Sequence, residues 1–308
     1  MRNKRPYPAF IFLLCSAFFL WSMNTAKGKE FGESWPKRVL ITNDNGIEDV
    51  KIVELAREFS KVAETYVVAP IEDRSGSTHY LTAMQRGSLT VEKRHIGEGI
   101  QAYAVDGYPA DCVLIALAGI MKDNLPDLVI SGINGGPNLG TDWLFSGTVG
   151  AARVASFAGI PGIAVSGLDD DINGAVEAAN MWVVRLAQSP LVRKLKPPQY
   201  ITVSIPRVSP QEIKGVRVAD RAGLLERPVF DKIIGGDLEE DQEMWRIVGA
   251  EKLDIRLPSE SDIALYDEGF IVIVPMACDE HDRKFISQLK KETEQFPGWT
   301  YHKERNFP

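Results

Sequence analysis

The sequence predicts an α/β fold, a Rossmann-like and mostly parallel sheet with helices on both faces, and three features lead there. Short apolar runs alternate with helical patterns through the first two thirds of the chain. The runs are continuous rather than alternating, as in strands buried on both faces. Several stop abruptly on polar or glycine-rich segments, and in open α/β sheets ligands sit at such strand ends.

The first strand is expected over 39–42, where Val39-Leu40-Ile41 ends in the turn formers Asn43-Asp44-Asn45-Gly46. A helix follows over 50–59, where Ile52, Leu55, Ala56 and Phe59 recur at helical spacing. The run 65–69, closed by Pro70, is the second strand. Helical patterns cover 111–121 and 148–158, and strands cover 128–131 and 163–166. A long amphipathic helix spans 175–187. After Pro197-Pro198 the character changes: strands are expected over 200–205, 216–219 and 270–274 and a helix over 282–296, while 222–256 has no clear period. The domain reading is an α/β core over 37–198 and a C-terminal extension over 199–308 that completes the fold with extended hairpins used in oligomer contacts.

The chain has 308 residues, 44% hydrophobic and 25% charged, which is globular composition and excludes disorder of the whole. A net charge of −7 leaves no basic field for a nucleic-acid polymer, although a mononucleotide needs only a local pocket. Arg2, Lys4 and Arg5 precede an apolar stretch over 9–21 and small or polar residues through Ala26. This is the layout of a secretory signal peptide over 1–26, and the stretch is short for a membrane span. Its removal would take the net charge from −7 to −10. Export to a periplasmic or extracellular space is therefore expected, with an uncleaved N-terminal anchor as the alternative. Cys112 and Cys278 would remain; the sequence alone does not say whether they meet, and Cys112 lies in an apolar helical pattern that suits a small core residue. No CxxC pair or histidine cluster points to zinc.

Four polar clusters could carry chemistry. Asn43-Asp44-Asn45-Gly46 ends the first strand, though Asn-Gly is also a common turn pair. The stretch 73–79 follows the second strand and could equally be a solvated loop. Ser131 to Gly140 holds four glycines and two asparagines, open to close ligand approach, yet it lacks the lysine of a phosphate-binding P-loop and could be a long turn. Ser146-Gly147-Thr148 starts a helix whose free N–H groups and hydroxyls suit a phosphate, or simply cap it. Asp44, Ser75 and Asn134 all follow strand candidates and offer only oxygen ligands, which suits Mg²⁺, Mn²⁺ or Ca²⁺. A hard cation beside a phosphate site implies phosphoryl chemistry. His79 either approaches the substrate or belongs to a solvated loop.

The ordered set Thr42-Asn43-Asp44-Asn45-Gly46, Ala69-Pro70 with Arg74-Ser75-Gly76, Gly107-Tyr108-Pro109-Ala110-Asp111-Cys112-Val113, Ser131 through Gly140 and Ser146-Gly147-Thr148-Val149 resembles the SurE family of nucleotidases over roughly 37–275. The resemblance implies metal-assisted hydrolysis of nucleoside 5′-monophosphates, with 3′-monophosphates as a wider activity, and a homodimer or homotetramer. It implies a divalent metal held by Asp44, Asn45, Ser75 and Asn134, with Asp44 and Asn134 catalytic. Asn43, Gly135, Ser146, Gly147 and Thr148 would meet the substrate phosphate. Most members are cytoplasmic, the second alternative to export. A non-catalytic phosphate or nucleotide binder and a broad-specificity phosphatase are the competing functions.

Three departures stand out. Asn45 replaces a second acid, Val154-Ala155 replaces Glu-Gly, and Thr202-Val203-Ser204 replaces Asn-Val-Asn. Loss of a carboxylate about 4 Å from a cation, at an effective dielectric near 20, forfeits on the order of 4 kcal/mol of attraction per unit charge before relaxation. Weaker metal binding is therefore expected. Asn45-Gly46 is also a candidate for slow deamidation, which would regenerate an acid at position 45.

Overall fold

The computed structural model describes residues 35–168, 172–223, 226–233, 242–252 and 257–278; the expected leader over 1–26 and, apart from Ile286 and Lys290, the helix expected over 282–296 lie outside the described residues. The elements in chain order are β1 Arg38–Thr42, α1 Val50–Ser60, β2 Glu64–Pro70, α2 Thr82–Arg86, β3 Val91–Arg94, β4 Ile100–Val105 and α3 Pro109–Ile115. Then come β5 Leu128–Asn134, α4 Gly147–Phe157, β6 Gly162–Ser166, α5 Ala175–Ala187, α6 Pro190–Arg193, β7 Gln199–Ser204, β8 Val216–Val218, β9 Glu226–Ile233, β10 Met244–Lys252, α7 Asp262–Asp267 and β11 Ile271–Ala277. α3 runs on into a π-helical turn over Ala116–Ile120, so the helix expected over 111–121 is one body with two windings.

Nine strands form one sheet in the order β3-β4-β2-β1-β5-β6-β7-β11-β8. The stretch β4-β2-β1-β5-β6-β7 is parallel throughout, and the antiparallel pairs β3–β4 and β11–β7 flank it. Because successive side chains of a strand point to opposite faces, β1 serves two cores. Val39 and Ile41 pack with Ile52, Leu55 and Phe59 of α1 and Val183 of α5. Leu40 packs on the other face with Val113 of α3 and Ala151 and Ala155 of α4. Helices therefore cover both faces, as the continuous apolar runs require.

β7, β8 and β11, all beyond Pro198, complete this sheet. The stretch 222–256, without a readable period, contains the β9–β10 hairpin, paired antiparallel with Phe230 opposite Ile247 and a register shift between Ile247 and Gly249. Its strands alternate poorly because neither face is buried: Phe230, Trp245, Ile247 and Val248 are all exposed. β3 and β4 also escaped the reading; Glu92, Lys93 and Gln101 interrupt their apolar pattern at the exposed end of the sheet.

One buried ion pair ties the C-terminal part to the glycine-rich loop. Asp262 is completely buried; its Oδ2 accepts from Arg221 Nη1 (2.9 Å) and from Gly140 N–H (2.9 Å), and its Oδ1 accepts from Ala222 N–H (2.8 Å). Arg221 further donates to Asn138 O (2.8 Å) and to Thr202 Oγ1 (2.6 Å). Removing one member of such a pair strands the other without compensation. Asp262→Ala should lower stability by about 3–5 kcal/mol in urea unfolding, and a variant as stable as wild type would show that this brace does not hold the loop.

Candidate active site

The carboxyl ends of β1, β2 and β5 meet the N-terminus of α4. At this corner Asp44 is almost fully buried, at 3% exposure. Thr148 holds it with both of its donors: Oγ1–H to Oδ1 (2.7 Å) and N–H to Oδ2 (3.1 Å). A carboxylate at a helix start is favoured by the free N–H groups and the helix dipole. Burial nevertheless pushes the Asp44 pKa above the usual carboxylate value; the bonds from Thr148 pull it down, and the nearby Asp73 charge adds to the rise. The folded state thus binds this proton more tightly than the unfolded chain does, so its contribution to stability falls as pH rises from 3.8 through the folded pKa.

The loop 73–79 closes over the same corner. Arg74 N–H donates to Asp44 O (2.7 Å), and Thr78 N–H donates to Phe145 O (3.0 Å). Thr78 adopts φ 45°, strained for a β-branched residue. The approach is close enough to require glycine on the helix. A Cβ at Gly150 would lie 2.1 Å from Thr78 O, and one at Gly147 would lie 2.6 Å from Ser77 Oγ and 3.1 Å from Asp44 Oδ2.

The structure assigns the expected site residues unequal places. Asp44, Gly147 and Thr148 are in direct contact, and Ser75 follows Arg74 at the Asp44 backbone. Ser75 is exposed, its N–H and hydroxyl both bonded to Asp73 Oδ1 (2.8 and 2.7 Å). Asn134 ends β5, beside β1 in the sheet; its Nδ2 donates to Gly136 O (2.7 Å), which leaves Oδ1 outside that bond. Asn45 contributes a buried Oδ1 with no hydrogen-bond partner. Gly135 faces open space.

Internal hydrogen bonds already engage three of the side chains expected at the phosphate. Asn43, expected at the phosphate, is fully buried and spends both polar atoms on its own turn, Nδ2 to Gly46 O (2.8 Å) and Oδ1 from Gly46 N–H (3.2 Å). Thr148, also expected at the phosphate, is committed to Asp44, and Ser146 Oγ accepts from Val149 N–H (3.1 Å) as the cap of α4. The same Gly46 N–H bond restrains the nitrogen that deamidation of Asn45 would use as nucleophile, within a buried turn.

His79 is half-buried, its Nδ1 paired with Thr78 Oγ1 (2.9 Å), and burial together with the Arg153 charge lowers its pKa. Cys112 and Cys278 are both buried and free. Of the three departures, Val154 and Ala155 pack into the α3 side of the core, and Thr202 accepts a hydrogen bond from Arg221. Sequence reasoning missed Ser77 and the Arg221–Asp262 brace. Ser77 had no signal separating it from a loop serine, and no spacing rule links 221 or 262 to position 140. An apolar cavity of about 290 Å³ between α5 and 205–216 lies apart from these residues.

The family model described as "Survival protein SurE" matches residues 39–224. The chain belongs to the SurE family. It is 34% identical to "5'-nucleotidase SurE" of Alkaliphilus metalliredigens over 82% of this chain and 97% of that protein. It is also 34% identical to the protein of the same name in Chloroflexus aggregans, over 82% and 98%. Among solved structures it resembles the SurE protein from Aquifex aeolicus at a TM-score of 0.69 and 29% identity, covering 83% of this chain and 99% of that one. The likeness spans most of both chains and shows that they share a fold.

Asp44→Asn tests the geometry directly. Its amide can accept from Thr148 N–H while the Thr148 hydroxyl turns to accept from Nδ2. The variant should therefore keep a Tm at or above wild type by up to a few degrees, and lose the acid-side pH dependence described above. A large loss of Tm in calorimetry would mean that the charge, not the shape, holds the corner.

Proposed function

We propose that this chain is a divalent-metal-dependent phosphomonoesterase that hydrolyses nucleoside 5′-monophosphates to nucleoside and phosphate. One observation carries the reading: a buried carboxylate held by the N-terminus of α4 stands at the carboxyl edge of a parallel sheet, and the next residue carries an amide oxygen buried without a partner. The family membership and the 5′-nucleotidase names of its relatives support it.

The donor set fits a hard cation. Asp44, Asn45, Ser75 and Asn134 offer oxygen atoms only, and Asn45 Oδ1 is buried without a partner, a state that costs free energy unless a ligand meets it. Among the described residues no three histidine, cysteine, aspartate or glutamate side chains cluster in a metal-binding group, so the neutral oxygens of Asn45, Ser75 and Asn134 would hold the ion with Asp44, whose carboxylate also feels the Asp73 charge. When bound, such a cation supplies Lewis-acid polarisation of a phosphoryl oxygen and lowers the pKa of water. With the cation bound, Asp44 would orient the attacking water and accept its proton. The N-terminus of α4 receives the negative charge that develops during transfer.

Substrate binding needs no nucleic-acid surface, and the net charge of −7 supplies none. No helix among the described residues is long and apolar enough to cross a membrane. The basic-then-apolar segment before Ala26 supports export of the mature protein. For assembly, the β9–β10 hairpin is the proposed contact between copies. A two-stranded hairpin is marginal in water by itself, and this one exposes Phe230, Trp245 and Ile247.

Purified protein should release phosphate from nucleoside 5′-monophosphates and from a generic phosphate ester at different rates, lose activity to a chelator and regain it with Mn²⁺. Asn45→Asp should lower the half-saturating Mn²⁺ concentration about tenfold, equivalent to ~1.4 kcal/mol; equal values would remove the charge argument, and no turnover in either would favour a non-catalytic binder. Light scattering of Trp245→Glu with Ile247→Glu should give a smaller species than wild type, and an unchanged mass would exclude the hairpin as the contact.

A further inference from the structure

We propose that Ser77 is a phosphate-binding residue of this site, its hydroxyl donating to a phosphoryl oxygen beside the first turn of α4. The proposal rests on the phosphomonoesterase reading and adds a residue to it.

Ser77 is 9% exposed and its Oγ is enclosed, yet the hydroxyl makes no hydrogen bond. Buried hydroxyls nearly always find partners, and one left without is costly. Its position is defined by Gly147: the point a Cβ would occupy there lies 2.6 Å from Ser77 Oγ and 3.1 Å from Asp44 Oδ2. The hydroxyl and the carboxylate are therefore no farther apart than those two distances together. The backbone around Ser77 is held in place: Arg74 N–H donates to Asp44 O, Thr78 N–H to Phe145 O and Tyr80 N–H to Ser77 O.

The donors of α4 indicate which ligand this hydroxyl serves. Thr148 gives both its N–H and its hydroxyl to Asp44, and Val149 N–H goes to Ser146 Oγ. The Gly147 N–H makes none of these bonds, and the Ser146 hydroxyl keeps its hydrogen. A phosphoryl group arriving here takes its donors from what remains: Gly147 N–H, Ser146 O–H and Ser77 O–H. The Gly147 N–H at this spot can only donate, and the helix start adds partial positive charge, so an oxyanion fits it where the carboxylate of Asp44 serves a cation. The cation belongs on the oxygens of Asp44 and Asn45, and the anion on the Ser77 side of Gly147.

Ser77→Ala separates a ligand-directed hydroxyl from a structural one. Removing an unpartnered hydroxyl leaves the free protein at or above the wild-type Tm. In the same variant the Tm rise caused by millimolar inorganic phosphate shrinks, its inhibition constant weakens about tenfold, and kcat/KM for a nucleoside 5′-monophosphate falls about 10–100-fold, as for a hydrogen bond to a charged group. Ser77→Thr, which keeps the hydroxyl, restores most of the phosphate response. If the alanine variant loses stability, Ser77→Cys, nearly isosteric and a weak donor, is measured against the same criteria. A folded variant whose phosphate inhibition and kcat/KM stay within twofold of wild type overturns the assignment of Ser77 while leaving the phosphatase reading intact. A wild-type protein that neither turns over nor responds to phosphate overturns both. A wild-type protein without turnover whose phosphate response is lost in Ser77→Ala supports the contact alone.

Discussion

The site depends on a single interaction, the grip of Thr148 on the Asp44 carboxylate. It joins residues 104 apart in sequence and locks the end of the first strand against the start of α4. A buried carboxylate needs compensation, and here a helix terminus provides it with an N–H and a hydroxyl. The approach of the 73–79 loop, the glycines at 147 and 150 and the backbone strain at Thr78 all follow from how tightly that junction closes. The same grip sets the chemistry available, because it consumes donors that would otherwise meet an anion.

Much of the fold was legible because burial on both faces writes continuous apolar runs. Val39-Leu40-Ile41 and Leu128-Val129-Ile130 could be read as central strands for that reason. The edge of the sheet was not legible: Glu92, Lys93 and Gln101 break the pattern because their side chains face water. The hairpin over 226–252 was hidden for a related reason, since neither face is covered within one chain. Residue type, in turn, marked the corner at Asp44 but not the partners of its atoms. Asn43 braces its own turn with both polar atoms, and Ser77, one serine of a polar loop, sets its hydroxyl beside the first turn of α4.

The division of labour within the site follows from charge. The sheet end supplies the Asp44 carboxylate and neutral amide oxygens, with the Asp73 charge near by, and the helix start supplies partial positive charge. On the proposed reading, a dication and a phosphoryl group would be drawn to different sides of this corner. Asn45, in place of an acid, would weaken the first of these attractions without touching the second.

The Arg221–Asp262 brace has a temporal consequence. The loop that carries Asn134 is fastened through Gly140 and Asn138 to residues that come more than eighty positions later. During synthesis the first strands and helices leave the ribosome well before their fastening exists. The nascent chain therefore carries an unfinished pocket until residue 262 has emerged and packed. Fastening of the glycine-rich loop is in this way a late event in the birth of the chain, timed by translation of its distal third.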